Sequence, residues 1–377
     1  MKQKLLHIVY LTLALAGIGL FAGCTEDSQQ DTPEMPQRQI SFMLCSPNYI
    51  DVSPMSSPRR ALPPGYVVYD NLSPQIPGGS TALKCFLAHT AVDFQGDITY
   101  DKVSSTYIWN SKLPVDESTY YVYGLMPASE ANKVDLQKLA GETDYSAGAK
   151  MVMEMNAMSG YDVCAIVGMK ASQTNLPISE VDLTKSLGKF EYNAANDGDF
   201  VYLLINHLYA ALHLRFKIDG TYNQLRTIKL TKLSLRSKNY PKANLIATLT
   251  ANSSSPLSVS TTKSGSAGEG AEVVIFDGEK NNEERELKWE ETNMIDFLAC
   301  TAAFAENNAF VLKTKYNVYD KNGNLIRKGC EAENKLSLPT GITLDPGQKY
   351  VFNLTVNPTY LYVLSEPDLD NPTVTVN

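Results

Sequence analysis

Seven consecutive residues constrain the fold class most. From Leu212 to Ile218 (Leu-His-Leu-Arg-Phe-Lys-Ile) apolar and polar side chains alternate without a break. An extended strand with one buried face and one wet face gathers period-two residues on one side. The same period marks residues 39–45, where Ile40, Phe42 and Leu44 share a face, and it returns in residues 350–356. Between such runs the 19 Pro and 23 Gly are scattered as punctuation rather than clustered. The 21 Tyr and 12 Phe suit half-buried pleated surfaces. Many short strands joined by turns predict an all-β chain of sandwich type.

The chain opens with Lys2 and Lys4, runs mostly apolar from Leu5 to Leu20, and reaches Leu20-Phe21-Ala22-Gly23-Cys24. A basic start, a short apolar stretch and small residues before a cut describe a secretory signal peptide. A cysteine directly after Ala22-Gly23 resembles a lipobox, which implies cleavage before Cys24 and a lipid on its thiol. The apolar run is too short and too close to the terminus for an ordinary membrane span. Removing residues 1–23 takes Lys2 and Lys4 away and moves the net charge from −8 to −10. An acidic surface argues against nucleic acid as a partner.

Residues 24–38 are polar, acidic and proline-bearing, the composition of a flexible tether. The remaining length suits two domains, read here as 39–198 and 199–377 with the boundary in the loop-rich stretch 170–200. After the first strand comes a long loop, residues 46–65, with five prolines and the dibasic pair Arg59-Arg60 at its middle. Such a loop is open to proteases, although from the spacing alone a solvated charge pair is the stronger explanation. Residues 134–139 predict a short helical patch, residues 253–270 a mobile Ser/Gly/Thr-rich loop, and Asn322-Gly323 a tight hairpin turn. Leu287 and Trp289 are the candidates to dock from the charged stretch 279–291.

The sequence carries little that resembles catalytic machinery. It has no G-x-S-x-G, no H-E-x-x-H and no C-x-x-C. His207 and His213 are six apart without an acidic cluster at metal-ligand spacing, so His207 is read as satisfying hydrogen bonds at a strand edge or turn, and neither a metal nor a cofactor is expected. With Cys24 lipidated, Cys45, Cys85, Cys164, Cys300 and Cys330 remain, and they read as small buried hydrophobes whose disulfide state the sequence leaves open. No enzymatic activity is expected.

Several segments together resemble the fimbrillin family, the pilus subunits of certain Gram-negative anaerobes. They are the lipobox at Cys24, the first strand from Ile40 and the Arg59-Arg60 loop after it. To these add Tyr120-Tyr121-Val122-Tyr123-Gly124-Leu125-Met126-Pro127-Ala128, the histidine-bearing stretch Asn206-His207-Leu208-Tyr209-Ala210-Ala211-Leu212, and the turn Leu344-Asp345-Pro346-Gly347-Gln348-Lys349-Tyr350. The resemblance implies two consecutive transthyretin-like β-sandwich domains. It also implies a lipoprotein precursor at the outer membrane, cut by an Arg-specific protease after Arg59 or Arg60. The displaced strand (Ile40, Phe42, Leu44) would leave a slot for the C-terminal tail of another subunit, with Tyr360, Tyr362, Leu364, Val374 and Val376 as candidate donors. The implied partners are other fimbrial subunits, the processing protease, and a host protein or glycan. Stalk, tip-adhesin and membrane-anchor roles stay open, as does a glycan-binding surface lipoprotein using Trp109 and Trp289.

Overall fold

The alternating run is a strand, Tyr209–Ile218, and its Leu212, Leu214, Phe216 and Ile218 are all buried. The structure, a computed structural model, describes residues 37–38, 40–47, 66–68, 82–101, 106–109, 113–114, 118–129, 134–160, 162–302, 309–337, 344–356 and 373–376. Strands dominate throughout, and the chain is all-β, built from packed sheets.

One sheet curls. Its order is Cys164–Ser172, Phe200–His207, Ser41–Pro47, Thr106–Trp109, Val92–Asp101, Ala82–Ala88 and Thr119–Met126, with Glu191–Asn193 beside the last. Cys164 and Ala165 also pair with Met126 and Leu125, so the seven strands close on themselves. Alternation divides their side chains between two cores. Leu83, Cys85 and Leu87, with Val201, Leu203 and Ile205, face the inside of the curl alongside Ile40. Phe86, Ala88, Tyr202 and Leu204 face outward. Gly124 sits where the wall leaves no room for a side chain: a Cβ there would meet the Lys84 carbonyl oxygen at 2.5 Å and Ile166 Cδ1 at 2.7 Å.

A second sheet, ordered Leu257–Ser264, Lys242–Thr250, Gly148–Asn156 and Asp135–Lys138, covers the outward face. It contributes Met151, Met153, Met155, Leu245 and Leu249 to the shared core. Each fully buried side chain of this size stabilises by roughly 1.5–3 kcal/mol. Two expectations fail here. Residues 135–138 form a strand rather than a helical turn, because Leu136 alone is buried among exposed neighbours and the backbone pairs with 149–152. Within 253–270, Leu257–Ser264 is a regular strand paired to Lys242–Thr250 over eight residues; Leu257, Val259 and Thr261 alternate inward of Ser258, Ser260 and Thr262, and composition masked that period.

The chain passes from the curled sheet to a second pair of sheets at Leu208, fully buried, whose amide donates to the Val163 carbonyl at 2.6 Å. One of these sheets runs Met158–Ser159, Ile295–Ala302, Tyr209–Ile218, Lys349–Val356 and Thr373–Val376. The other runs Val273–Asp277, Thr227–Ser237, Ala309–Tyr319 and Leu325–Ser337, with Arg285–Glu286 beside Thr227–Ser237. A separate core fills the space between them, including Leu212, Phe216, Leu230, Leu312 and Phe352. The Asn322-Gly323 hairpin is present, with Gly323 at φ +84° and Asp320 accepting from the amides of Asn322 and Asn324 at 2.8 Å each. Leu287 docks fully, while Trp289 stays 53% exposed. Cys85, Cys164 and Cys330 are buried thiols outside any disulfide, as small hydrophobes should be. Burial pushes the Cys85 thiol well above its ordinary value, which keeps it inert.

Candidate functional site

The first strand, Ser41–Pro47, lies inside the curled sheet and not at an edge. It runs parallel to Phe200–His207, pairing Ser41 with Phe200 through Cys45 with Leu204. On its other side it meets Thr106–Trp109 antiparallel at two positions. Its C-terminal end pairs antiparallel with Tyr66–Val68, Pro47 opposite Tyr66. The connection 48–65 is therefore the link between two paired strands, and it carries Arg59 and Arg60, which lie outside the described residues.

Ile40 marks the mouth of this slot and is 1% exposed. The slot wall is Phe200–His207, which is buried on both faces: Val201 and Leu203 turn into the curl, Tyr202 and Leu204 toward the cover sheet. A strand buried on both faces reads as a continuous apolar run, and residues 200–205 are such a run. Phe42 and Leu44 belong to the strand by backbone pairing; their side chains lie outside the described residues. The same holds for Val374 and Val376. Their strand, Thr373–Val376, lies beside Lys349–Val356 in its own molecule, Val374 opposite Leu354 and Val376 opposite Phe352. Cys24, Tyr360, Tyr362 and Leu364 lie outside the described residues, as does the side chain of Trp109. Gln37–Arg38, at the end of the tether segment, form a short strand with Leu113–Pro114.

The structure also assembles a cluster that sequence spacing hid. Cys164 and His207 are directly opposite on paired strands. Asp162, two residues before Cys164, falls on the same side. Its carboxylate Oδ2 stands 2.7 Å from His207 Nδ1, and Cys164 Sγ stands 3.4 Å from the same nitrogen. An acid–imidazole–nucleophile relay uses both ring nitrogens in turn. Here both partners address Nδ1, so this is no catalytic triad. The signal available in the sequence was the Asp-x-Cys spacing of 162 and 164, which puts two donors on one face of a strand. Partnership with His207 needed the register of a strand some forty residues later.

Three of the segments singled out in the sequence, 120–128, 206–212 and 344–350, converge at this cluster. Met126 is opposite Cys164, Cys164 is opposite His207, and a Cβ built on Gly347 would lie 4.0 Å from His207 Cδ2. The turn 344–350 is tied down there, since the Gly347 amide donates to the Tyr209 carbonyl and the Ala211 amide to that of Gln348, both at 2.9 Å.

The second sandwich holds a concavity of about 550 Å³ lined by Lys232, Ser234, Glu272, Lys313, Lys315 and Glu331, among others. Lys313 pairs with Glu272 at 3.3 Å and Lys315 with Glu331 at 2.9 Å. The Ser234 hydroxyl donates to Glu272 and, with Lys313, holds that carboxyl below the ordinary range against the opposing effect of burial. Such partly exposed pairs contribute at most about 1 kcal/mol each and cancel one another's charge, the pattern of a solvated face.

No family model matches the chain, and no curated protein matches it. Among solved structures it is similar to a candidate cell adhesion protein from Bacteroides fragilis, at TM-score 0.41 and 10% identity over 90% of this chain and 97% of that one. It is also similar to a fimbrial protein from Bacteroides vulgatus, at TM-score 0.37 and 13% identity over 79% and 92% of the two chains. A third is the fimbrial anchor protein Mfa2 from Porphyromonas gingivalis, at TM-score 0.26 and 8% identity over 89% and 97%. Likeness at this level carries no function with it.

Proposed function

We propose that this chain is a fimbrillin-type subunit of a cell-surface fibre, exported as a lipoprotein through Cys24 and polymerised by strand exchange after an Arg-specific cut at Arg59 or Arg60. One observation carries the reading. The first strand is paired on both sides within a closed sheet, yet a single cut in the connection 48–65 would leave it held by non-covalent contacts alone. Its departure would strip hydrogen-bond partners from Phe200–His207 and open the curl beside Val201 and Leu203. Unpaired strand edges and buried polar groups are costly, so the slot favours a replacement strand. The C-terminal segment supplies one of suitable alternation, Thr373–Val376, which already behaves as a strand. In this reading the head carrying the slot is the curled sheet with its cover sheet, which takes in Phe200–His207, Lys242–Thr250 and Leu257–Ser264 as well as residues before 199, and the second sandwich carries the tail. Adhesion to host protein or glycan would follow from display on the fibre.

The test is limited digestion of the purified precursor with an Arg-specific protease, followed by mass spectrometry and size-exclusion chromatography. The expected product begins at Arg60 or Ala61, releases the segment containing residues 40–47, and forms higher-order species. Cleavage elsewhere with the 48–65 connection intact, or a clipped chain that stays monomeric with an empty slot, would overturn the reading.

A further inference from the structure

We infer that Asp162, Cys164 and His207 form a binding site for a divalent transition-metal ion of the zinc type, at the point where the curled sheet gives way to the second sandwich. The three potential ligand atoms, Asp162 Oδ2, Cys164 Sγ and His207 Nδ1, lie within 4.8 Å of one another. Carboxylate, thiolate and imidazole are the donor types zinc takes.

Two of the donors are fixed by the fold. Cys164 and His207 are opposite residues on paired strands, and strand-borne ligands hold their separation better than loop-borne ones. Tetrahedral zinc with bonds of about 2.3 Å to sulfur and about 2.05 Å to nitrogen sets those two atoms about 3.6 Å apart. The observed separation is 3.4 Å. The carboxylate stands closer, at 2.7 Å from Nδ1, because it hydrogen-bonds the imidazole directly. Zinc would take the place of that shared proton, and Asp162 would withdraw by about 0.7 Å to ligand distance. Asp162 lies outside any strand, on the segment just before Cys164–Ser172, so no strand pairing opposes this shift.

Burial and charge agree with the geometry. Cys164 is 1% and His207 3% exposed, so neither reaches bulk water. The Asp162 side chain is 17% exposed and gives an ion its way in. On binding, the thiol proton leaves to solvent and the imidazole proton moves from Nδ1 to Nε2, so the ring stays neutral and Nδ1 is free for the ion. One thiolate and one carboxylate then balance the two charges of the ion, which suits a site this dry. Three protein donors leave one position for water, as in open zinc sites.

The experiment is calorimetric titration of the chelator-stripped full-length protein with zinc chloride, repeated with cobalt chloride to read the thiolate-to-metal absorption band. The expected result is one ion per chain, a cobalt charge-transfer band, and a thermal midpoint raised by zinc. Cys164→Ala exchanges one small buried group for another and should keep the fold by circular dichroism while abolishing the band. Asp162→Asn removes a charged ligand and should weaken zinc measurably, shifting the titration midpoint to higher zinc. No binding to the wild-type protein, or a band and affinity unchanged in Cys164→Ala, would overturn the site and leave Asp162–His207 as a structural pair.

Discussion

Two consecutive strands, Phe200–His207 and Tyr209–Ile218, each hold one parallel partner, and the two partners come from opposite ends of the chain. The first is held by Ser41–Pro47 over five residue pairs, Ser41 to Cys45. The second is held by Lys349–Val356 over eight, Lys349 to Val356. Parallel pairs need long crossovers, so neither contact is local. The difference lies in how each partner is tied to the rest of the chain. On the N-terminal side of Ser41–Pro47 lie the short Gln37–Arg38 strand and residues 1–36. Lys349–Val356 is anchored by the turn 344–350 before it and by Thr373–Val376 beside it. In the proposed reading the same structural unit is removable at one end, once the connection 48–65 is cut, and fixed at the other. Only the removable copy sits behind a dibasic connection.

Truncating the chain at each end, through the first partner and just beyond the second, would give the largest effect. A chain starting at residue 48 is expected to lose the cooperative unfolding transition of the curled sheet, bind a hydrophobic dye and self-associate. A chain ending at residue 356 is expected to keep both cores and stay monomeric by light scattering, because among the described residues it loses an edge strand of four residues. Equal damage from both truncations would break the comparison. A chain starting at 48 that stayed monomeric with a normal calorimetric profile would also sink the polymerisation reading.

Point substitutions on the two receiving strands sharpen it. Leu203 and Leu214 are both fully buried and each faces one core. Leu203→Ala and Leu214→Ala should each cost about 2–5 kcal/mol in urea unfolding. They should then part company after proteolysis. Leu203→Ala lines the slot and should speed loss of the 40–47 segment from the clipped protein, whereas Leu214→Ala should leave its release rate unchanged. Identical release rates would mean the slot wall does not hold the strand.

Much of this was legible in the sequence, and the failures have a common cause. Period two picked out the first strand from Ile40, and the run 212–218 matched Tyr209–Ile218 closely. The Asn-Gly hairpin announced itself because positive φ demands particular residues. Residues 257–264 were hidden because Ser and Thr serve loops and strands alike, and only the long-range register with Lys242–Thr250 decides between them. Leu136 was read with helical period because four residues are too few to separate periods. The parallel order at the slot, and the meeting of Asp162, Cys164 and His207, depend on which distant strands lie side by side. No local pattern carries that information.

A smaller change tests the second core on its own. Tyr222 is 4% exposed, and its hydroxyl has no hydrogen-bond partner among the described residues. An unsatisfied buried hydroxyl costs about 1–3 kcal/mol, so Tyr222→Phe should stabilise the second sandwich by up to that amount. Burial pushes the phenol well above its ordinary value, against a smaller opposing effect of Arg226. The unfolded chain releases this proton near pH 10 and the folded chain does not, so wild-type stability should fall as pH rises past about 10. The phenylalanine variant should lack that part of the alkaline decline. The curled sheet's transition, and release of the first strand, should not respond. A destabilised Tyr222→Phe would mean the hydroxyl has a partner after all.

The smallest effect belongs to the turn. Gly323 has φ +84°, and an added Cβ would meet no atom within 4 Å, so Gly323→Ala introduces backbone strain without a steric clash. The expected loss is about 1 kcal/mol, read from the chemical denaturation midpoint. Asp320 would still accept from the Asn322 and Asn324 amides, so the hairpin should persist with the register Ala309–Tyr319 to Leu325–Ser337. This hairpin pairs neighbours in sequence, whereas the slot pairs adjacent strands that lie far apart in sequence, Ser41 opposite Phe200. A cost confined to the second sandwich, with unaltered strand release after clipping, would show that local turn chemistry and long-range strand exchange act on separate parts of the molecule. A slowed or hastened release in Gly323→Ala would show instead that strain in the second sandwich reaches the slot through Leu208, the single residue between the two receiving strands.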